Sequence, residues 1–153
     1  MREILFRGKF GNEWKYGFLS IEPKGLVIKE PYKNDSSNVW HIESDTIGQY
    51  TGLTDKNGKK IFEGDIFKFE DEVWQSCYTP CGTEWDSCEA ENCGVVGFNK
   101  ELSQYDFVRY KFSQNSVEAD LHENHDMTFA DFITDLEIIG NIHDNPELLE
   151  VEK

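Results

Sequence analysis

Apolar residues in this chain recur mostly at every second position, in short runs closed by Gly, Pro or Asn-Gly, and that pattern selects strands over helices. Successive strand side chains point to opposite faces, so a spacing of two gathers a set on one side. Trp14, Tyr16 and Phe18, within Glu13–Leu19, form the clearest such set. Arg2–Arg7 reads as a first strand. Gly25 opens the run Leu26-Val27-Ile28, which Pro31 stops because proline has no N–H for a ladder. Residues 33–38 (KNDSSN) read as a loop and Val39–Ile42 as another strand. Asn57-Gly58 lies between strand-like segments and takes positive φ readily, so the spacing predicts a tight hairpin there. Gly64-Asp65 interrupts the strand pattern of Ile61–Phe69, which predicts a bulge or bend of the kind small barrels use at their corners.

Val95–Phe98 and Tyr105–Phe112 resume strand character, the latter with Val108, Tyr110 and Phe112 sharing a face. Asp126-Met127-Thr128 is a cap signal for a short helix, since Phe129, Phe132 and Ile133 recur at helical spacing. Leu136, Ile138, Gly140 and Ile142 alternate again, and Asn145-Pro146 is a second helix start with proline at its first position. The expected fold is mainly β (a β-rich α+β): strand-rich lobes around a small barrel-like unit, with one or two short helices. At 153 residues one domain is expected over 1–153. It divides into an N-terminal β lobe of about 1–45 and a C-terminal lobe of about 46–153. The latter carries an acidic, cysteine-rich insert at about 70–94, where turn residues break the alternation.

Charge is unevenly divided. Met1–Phe62 holds ten basic and eight acidic residues, Glu63–Lys153 five basic and 22 acidic, for a net charge of −15. Such a balance argues against direct nucleic-acid binding, which needs basic residues to displace counterions from phosphate. It leaves open a solvated acidic surface, a surface that meets a basic partner such as a host nucleic-acid-binding protein, and self-association of a near-neutral half with an acidic one. No apolar run reaches the ~20 residues that span a bilayer, and MREILFRGKF lacks the apolar core of a signal peptide. No membrane association and a cytoplasmic location are the expectation.

Two segments carry a family likeness: Thr46–Asp65, TIGQYTGLTDKNGKKIFEGD, and Ile139–Leu149, IGNIHDNPELL. With the opening ILFRGKF and Trp14 they resemble the YopX family of phage and prophage proteins. The resemblance implies a mainly β, phage-encoded protein, cytoplasmic in a bacterial host, with no catalytic residues to carry over. Residues 70–135 lie outside the signature. Within it, Gly52 and Gly58 suit turns, Gly64 a bend and Gly140 a close backbone approach.

Four groups of residues are candidates for chemistry. Cys77, Cys81, Cys88 and Cys93 are spaced C-x3-C-x6-C-x4-C; four thiolates satisfy a tetrahedral zinc, but neither pair has the usual two-residue spacing. Reduced, solvent-facing cysteines are the alternative. His122-Glu123-Asn124-His125 sets two imidazoles three apart, short of the four-residue spacing of a zincin helix, and also reads as an exposed polar loop. Glu63 and Asp65 bracket Gly64, with Asp55 across the hairpin, and paired carboxylates bind divalent ions or act as acid and base. The stripe Trp14, Tyr16, Phe18 can stack bases, with Lys9, Lys15 and Lys24 nearby, or form core or a subunit interface. No phosphate-binding loop, nucleophile elbow or dinucleotide fingerprint is present. The expected function is a non-enzymatic binding or assembly protein that self-associates. An acidic decoy of a basic host protein and a small metal-dependent enzyme are the alternatives.

Overall fold

The structure, a computed structural model, describes residues 3–30, 38–79, 82–111, 130 and 133–149, with the backbone alone for 69–79, 82–92 and 109–111. The alternating segments form ten strands among the described residues: β1 (Phe6–Phe10), β2 (Glu13–Glu22), β3 (Gly25–Lys29), β4 (Val39–His41), β5 (Gly48–Thr54), β6 (Lys60–Phe62), β7 (Asp65–Thr79), β8 (Gly82–Asn99), β9 (Gln104–Lys111) and β10 (Glu137–Asn141). They build a six-stranded sheet in the order β4-β3-β2-β1-β5-β6 and a four-stranded sheet in the order β10-β7-β8-β9. Every neighbouring pair is antiparallel.

The expected barrel-like unit is instead two open sheets. Closure requires the outer strands of one sheet to pair with each other. Here the chain leaves the first sheet at Gly64, whose φ of 83° L-residues rarely adopt, and starts a new sheet with β7. Gly64 also ties the sheets together: its N–H donates to Val96 O at 2.8 Å and its carbonyl accepts from Ile142 N–H at 2.9 Å. The main core lies at this junction. Ile61 from β6 packs with Phe67, Val96, Phe107 and Ile138 from all four strands of the second sheet, and Ile133 joins them.

The hairpin at Asn57-Gly58 forms with a five-residue loop, since Thr54 pairs with Lys60. Gly58 alone there takes positive φ, 80°. Buried Asp55 organises the loop: one carboxylate oxygen accepts from the N–H groups of Asn57 and Lys59 at 2.9 and 2.8 Å, and the other from Ile138 N–H of β10 at 3.3 Å. Pro146–Leu149 forms a 3-10 turn where the second helix start was read, and Ser44–Thr46 forms another that alternation did not signal. The helix expected after Thr128 begins outside the described residues.

Within the segment expected as an insert, residues 70–79 and 82–94 lie in β7 and β8, which pair without a break from Ile66↔Val95 to Thr79↔Gly82. Adjacent acids such as Glu70-Asp71-Glu72 occupy consecutive strand positions, so no apolar face remains to produce a period of two.

Candidate functional site: an arginine-centred cleft between the sheets

Residues directly opposite on antiparallel strands share a face. The register Arg7↔Tyr16 and Lys9↔Trp14 therefore puts two cations beside two aromatic rings on one side of β1 and β2. Arg7 is 5% exposed and reaches across the junction to Asp65, 1% exposed, at 2.5 Å. Its second terminal nitrogen donates to Glu63 O at 2.9 Å. The guanidinium carbon stands 4.8 Å from the Trp14 ring centroid and 5.2 Å from that of Phe62, within cation–π range. Asp65 spends its other oxygen on Phe62 N–H at 2.8 Å. Burial pushes the Asp65 carboxyl above its ordinary range, and the Arg7 charge draws it only part of the way back. Arg7 Nε is buried without a hydrogen-bond partner among the described residues.

The other wall is the turn after β10. Asn141 Oδ1 accepts from the N–H groups of His143 and Asp144, both at 3.0 Å, and Asn145 N–H donates to Asn141 O at 2.9 Å. Gly140 is required here, because a Cβ would stand 2.6 Å from Asn145 Oδ1. The turn projects Asp144 onto the aromatic face. Its carboxylate accepts from Asn141 Nδ2 at 2.8 Å and Trp14 Nε1 at 2.6 Å, and pairs with Lys9 Nζ at 2.5 Å. The bonds from Asn141, then Lys9, then Trp14 hold the Asp144 carboxyl far below the usual carboxylate range. His143 packs against Trp14 with centroids 5.8 Å apart, and burial, with help from the Arg7 charge, lowers its pKa.

Two clefts flank Arg7, Tyr16 and Lys59, which line both. One, of ≈ 350 Å³, runs along the turn and is also lined by Asp65, Asn141 and Asp144. The other, of ≈ 360 Å³, is completed by Leu5, Lys60 and Phe62. Lys60 pairs with Glu3 at 2.6 Å, whereas among the described residues Lys59 makes no ion pair.

The residues singled out from sequence fare unequally. Glu63, Asp65 and Asp55 do not assemble a divalent-ion site: Glu63 accepts from Gln49 N–H at 2.9 Å, Asp65 faces Arg7, and Asp55 holds its loop. Among the described residues no three His, Cys, Asp or Glu converge as metal ligands. Trp14 enters the cleft wall, but Tyr16 and Phe18 are 45% and 46% exposed, so the stripe is not core. In the β7–β8 ladder Cys77 pairs with Glu84, Cys88 with Val73 and Cys93 with Lys68, so none of the three is the direct cross-strand partner of another. Cys81 and the His122–His125 segment lie outside the described residues.

Sequence reasoning did not single out Arg7, Lys59, Asn141, His143 or Asp144. All five lie inside the ILFRGKF, Thr46–Asp65 and Ile139–Leu149 segments, which the fold brings to one cleft although Trp14 and Asp144 are 130 positions apart. Their convergence is the signal that was available.

Two open antiparallel sheets, hinged at a glycine and sharing an aromatic cleft around a buried arginine, define a strand-rich class with its site at the sheet junction. The chain belongs to the YopX family: residues 7–150 match the family described as YopX protein. Membership points to a phage-type protein. A comparison with curated proteins gives no match. Among the described residues no helix is long and apolar enough to cross a membrane.

Proposed function

We propose that this is a phage-derived, non-enzymatic binding or assembly protein that self-associates in the cytoplasm of a bacterial host. The supporting observation is the half-exposed pair Tyr16 and Phe18 on one face of β2, continuous with Trp14. Aromatic rings left in water on a sheet face gain most by burial against another surface. Native mass spectrometry under reducing conditions at micromolar protein tests this. A multimer that Phe18→Ser dissociates is the expected result, and a monomer for the parent chain overturns it. Zinc on Cys77, Cys81, Cys88 and Cys93 is read from the same spectrum, as a mass excess near one zinc per chain that a chelator removes.

A second reading, docking of a basic host protein on the acidic half, draws support from the β7–β8 register. Glu70 pairs with Glu91 and Glu72 with Glu89, so four acids hold neighbouring positions of one ladder, where a cationic surface would meet them together. Its mark is a lysate pull-down recovered at low salt and lost at high salt.

A further inference from the structure

The geometry points to the cleft of Leu5, Arg7, Tyr16, Lys59, Lys60 and Phe62 as a binding site for a small phosphate monoester carried on a flat apolar ring. The inference starts from a contrast between the two clefts that share Arg7, Tyr16 and Lys59. Asp65 and Asp144 line the one along the β10 turn, each already paired with a cation, Arg7 or Lys9. The other has Arg7, Lys59 and Lys60 and no acid among its lining residues. Arg7 is paired with Asp65 and Lys60 with Glu3, so Lys59 leaves a net positive charge there in a chain of net charge −15.

The donors suit phosphate. Lys59 has no ion pair among the described residues, and its position is set by backbone rather than side chain, through the 2.8 Å bond from its N–H to Asp55. Lys60 pairs with exposed Glu3 and stands 5.0 Å from the Tyr50 ring centroid, and an incoming dianion readily replaces the exposed carboxylate. The Tyr16 hydroxyl adds a third donor, and burial raises its pKa, so it stays protonated and able to donate. Arg7, paired with Asp65, lines the cleft without adding net charge. Two lysines and a hydroxyl among the lining residues suit a group with three acceptor oxygens better than a planar carboxylate.

The rest of the lining is apolar. Leu5 and Phe62 are 7% and 3% exposed, and the Tyr16 ring lies 5.5 Å from that of Phe62. The 45% exposed Tyr16 ring is the surface that can take the face of a ligand ring, and ≈ 360 Å³ lies within the roughly 300–1,000 Å³ of small-molecule sites. The inference goes beyond self-association and does not rest on it, because Phe18→Ser, which tests that reading, leaves all six lining residues in place.

Phenyl phosphate is the probe, titrated into the full chain while amide NMR shifts are followed. Saturable shifts centred on Lys59, Lys60 and Phe62 are expected, with Lys59→Met weakening the affinity by about tenfold, the loss of one charge-assisted hydrogen bond. Lys24→Met, an exposed lysine outside the cleft, should bind as the parent does. Inorganic phosphate should bind more weakly than phenyl phosphate, and phenol not at all. Three outcomes overturn the proposal: no saturable shift at millimolar probe, equal affinity for inorganic and phenyl phosphate, or equal losses in the Lys59 and Lys24 variants. Unchanged shift dispersion in Lys59→Met separates a lost site from a lost fold.

Discussion

The Arg7–Asp65 pair sets the energetics of the cleft, because both partners are buried and lie 2.5 Å apart. Removing one member of such a pair costs about 3–5 kcal/mol by leaving the other charge unpaired. Arg7→Ala should lose stability on that scale, measured by urea denaturation, and with a characteristic pH dependence. Asp65 is already pushed up by burial; without Arg7 it rises further. A carboxyl raised in the folded state favours folding while protonated and opposes it once ionised. The Arg7→Ala deficit should therefore be largest at neutral pH and shrink as the pH falls towards 4. Asp144 and His143 act in the opposite direction, since folding lowers both pKa values. The neutral His143 favours folding above its unfolded value of about 6.5, and the Asp144 carboxylate above about 4, so acid removes stability in two steps. His143→Gln should abolish the first step. Asp144→Asn should cost about 1 kcal/mol at pH 7, discounted because the carboxylate is 38% exposed, and nothing below the second step. Of these groups only Asp65 stood out in the sequence, as a carboxylate beside Gly64 rather than as the partner of Arg7. Arg7 lies in an alternating strand like any other, and Asp144 reads as one more acid in an acidic half, so only the 58- and 130-residue contacts give them meaning.

At the scale of elements, the joint between the sheets is carried by Gly64 and the Asp55 loop. Gly64 combines a φ of 83° with a hypothetical Cβ 3.3 Å from Ile142 Cγ1 and 3.4 Å from its Cδ1. Gly64→Ala should cost about 1–2 kcal/mol from backbone strain alone, as a lower thermal midpoint. Because the β6–β7 bend lies beside the cleft, the variant should also raise amide exchange at Ile142, whose N–H bonds to Gly64 O. Much of this architecture was legible. Gly64-Asp65 was read as a bend, Asn57-Gly58 as a hairpin, and the alternating runs as strands, because turn residues and a period of two are local properties. The number of sheets was not legible, since a bend looks the same in sequence whether the chain closes a barrel or starts a second sheet. Nor was the long β7–β8 hairpin: the run Glu70-Asp71-Glu72 on β7 and the acids scattered over both parities of β8 erase the alternation that marks a ladder. The five-residue loop, in place of a two-residue turn, follows from Asp55, whose carboxylate holds N–H groups on both sides of Gly58 and one from β10.

Across the whole molecule, charge decides what the surroundings can do. With −15 in total and 22 of 30 acids after Phe62, the second half of the chain carries repulsion that the first half does not share. Salt screens repulsion over about 8–10 Å near physiological strength, so stability should rise from low to moderate salt rather than stay level. The same salt weakens the Lys60–Glu3 and Lys56–Glu137 pairs, each with both partners at least 41% exposed, but such pairs contribute only about 0–1 kcal/mol apiece. The repulsive term therefore sets the sign. In the β7–β8 register Glu70 pairs with Glu91 and Glu72 with Glu89, so four acids hold neighbouring positions of one ladder. Glu89→Lys replaces one like pair by an opposite pair in the same register and changes the net charge to −13. It should stabilise the protein by about 0.2–1 kcal/mol in low salt and reduce the gain that added salt brings, both read from thermal midpoints at two ionic strengths. Glu101→Lys makes the same change in net charge on an exposed turn residue outside the ladder and serves as the control. If the two variants respond alike, the repulsion is spread over the whole surface. If Glu89→Lys gains more, the hairpin is where it concentrates, and a basic partner would gain most by docking there.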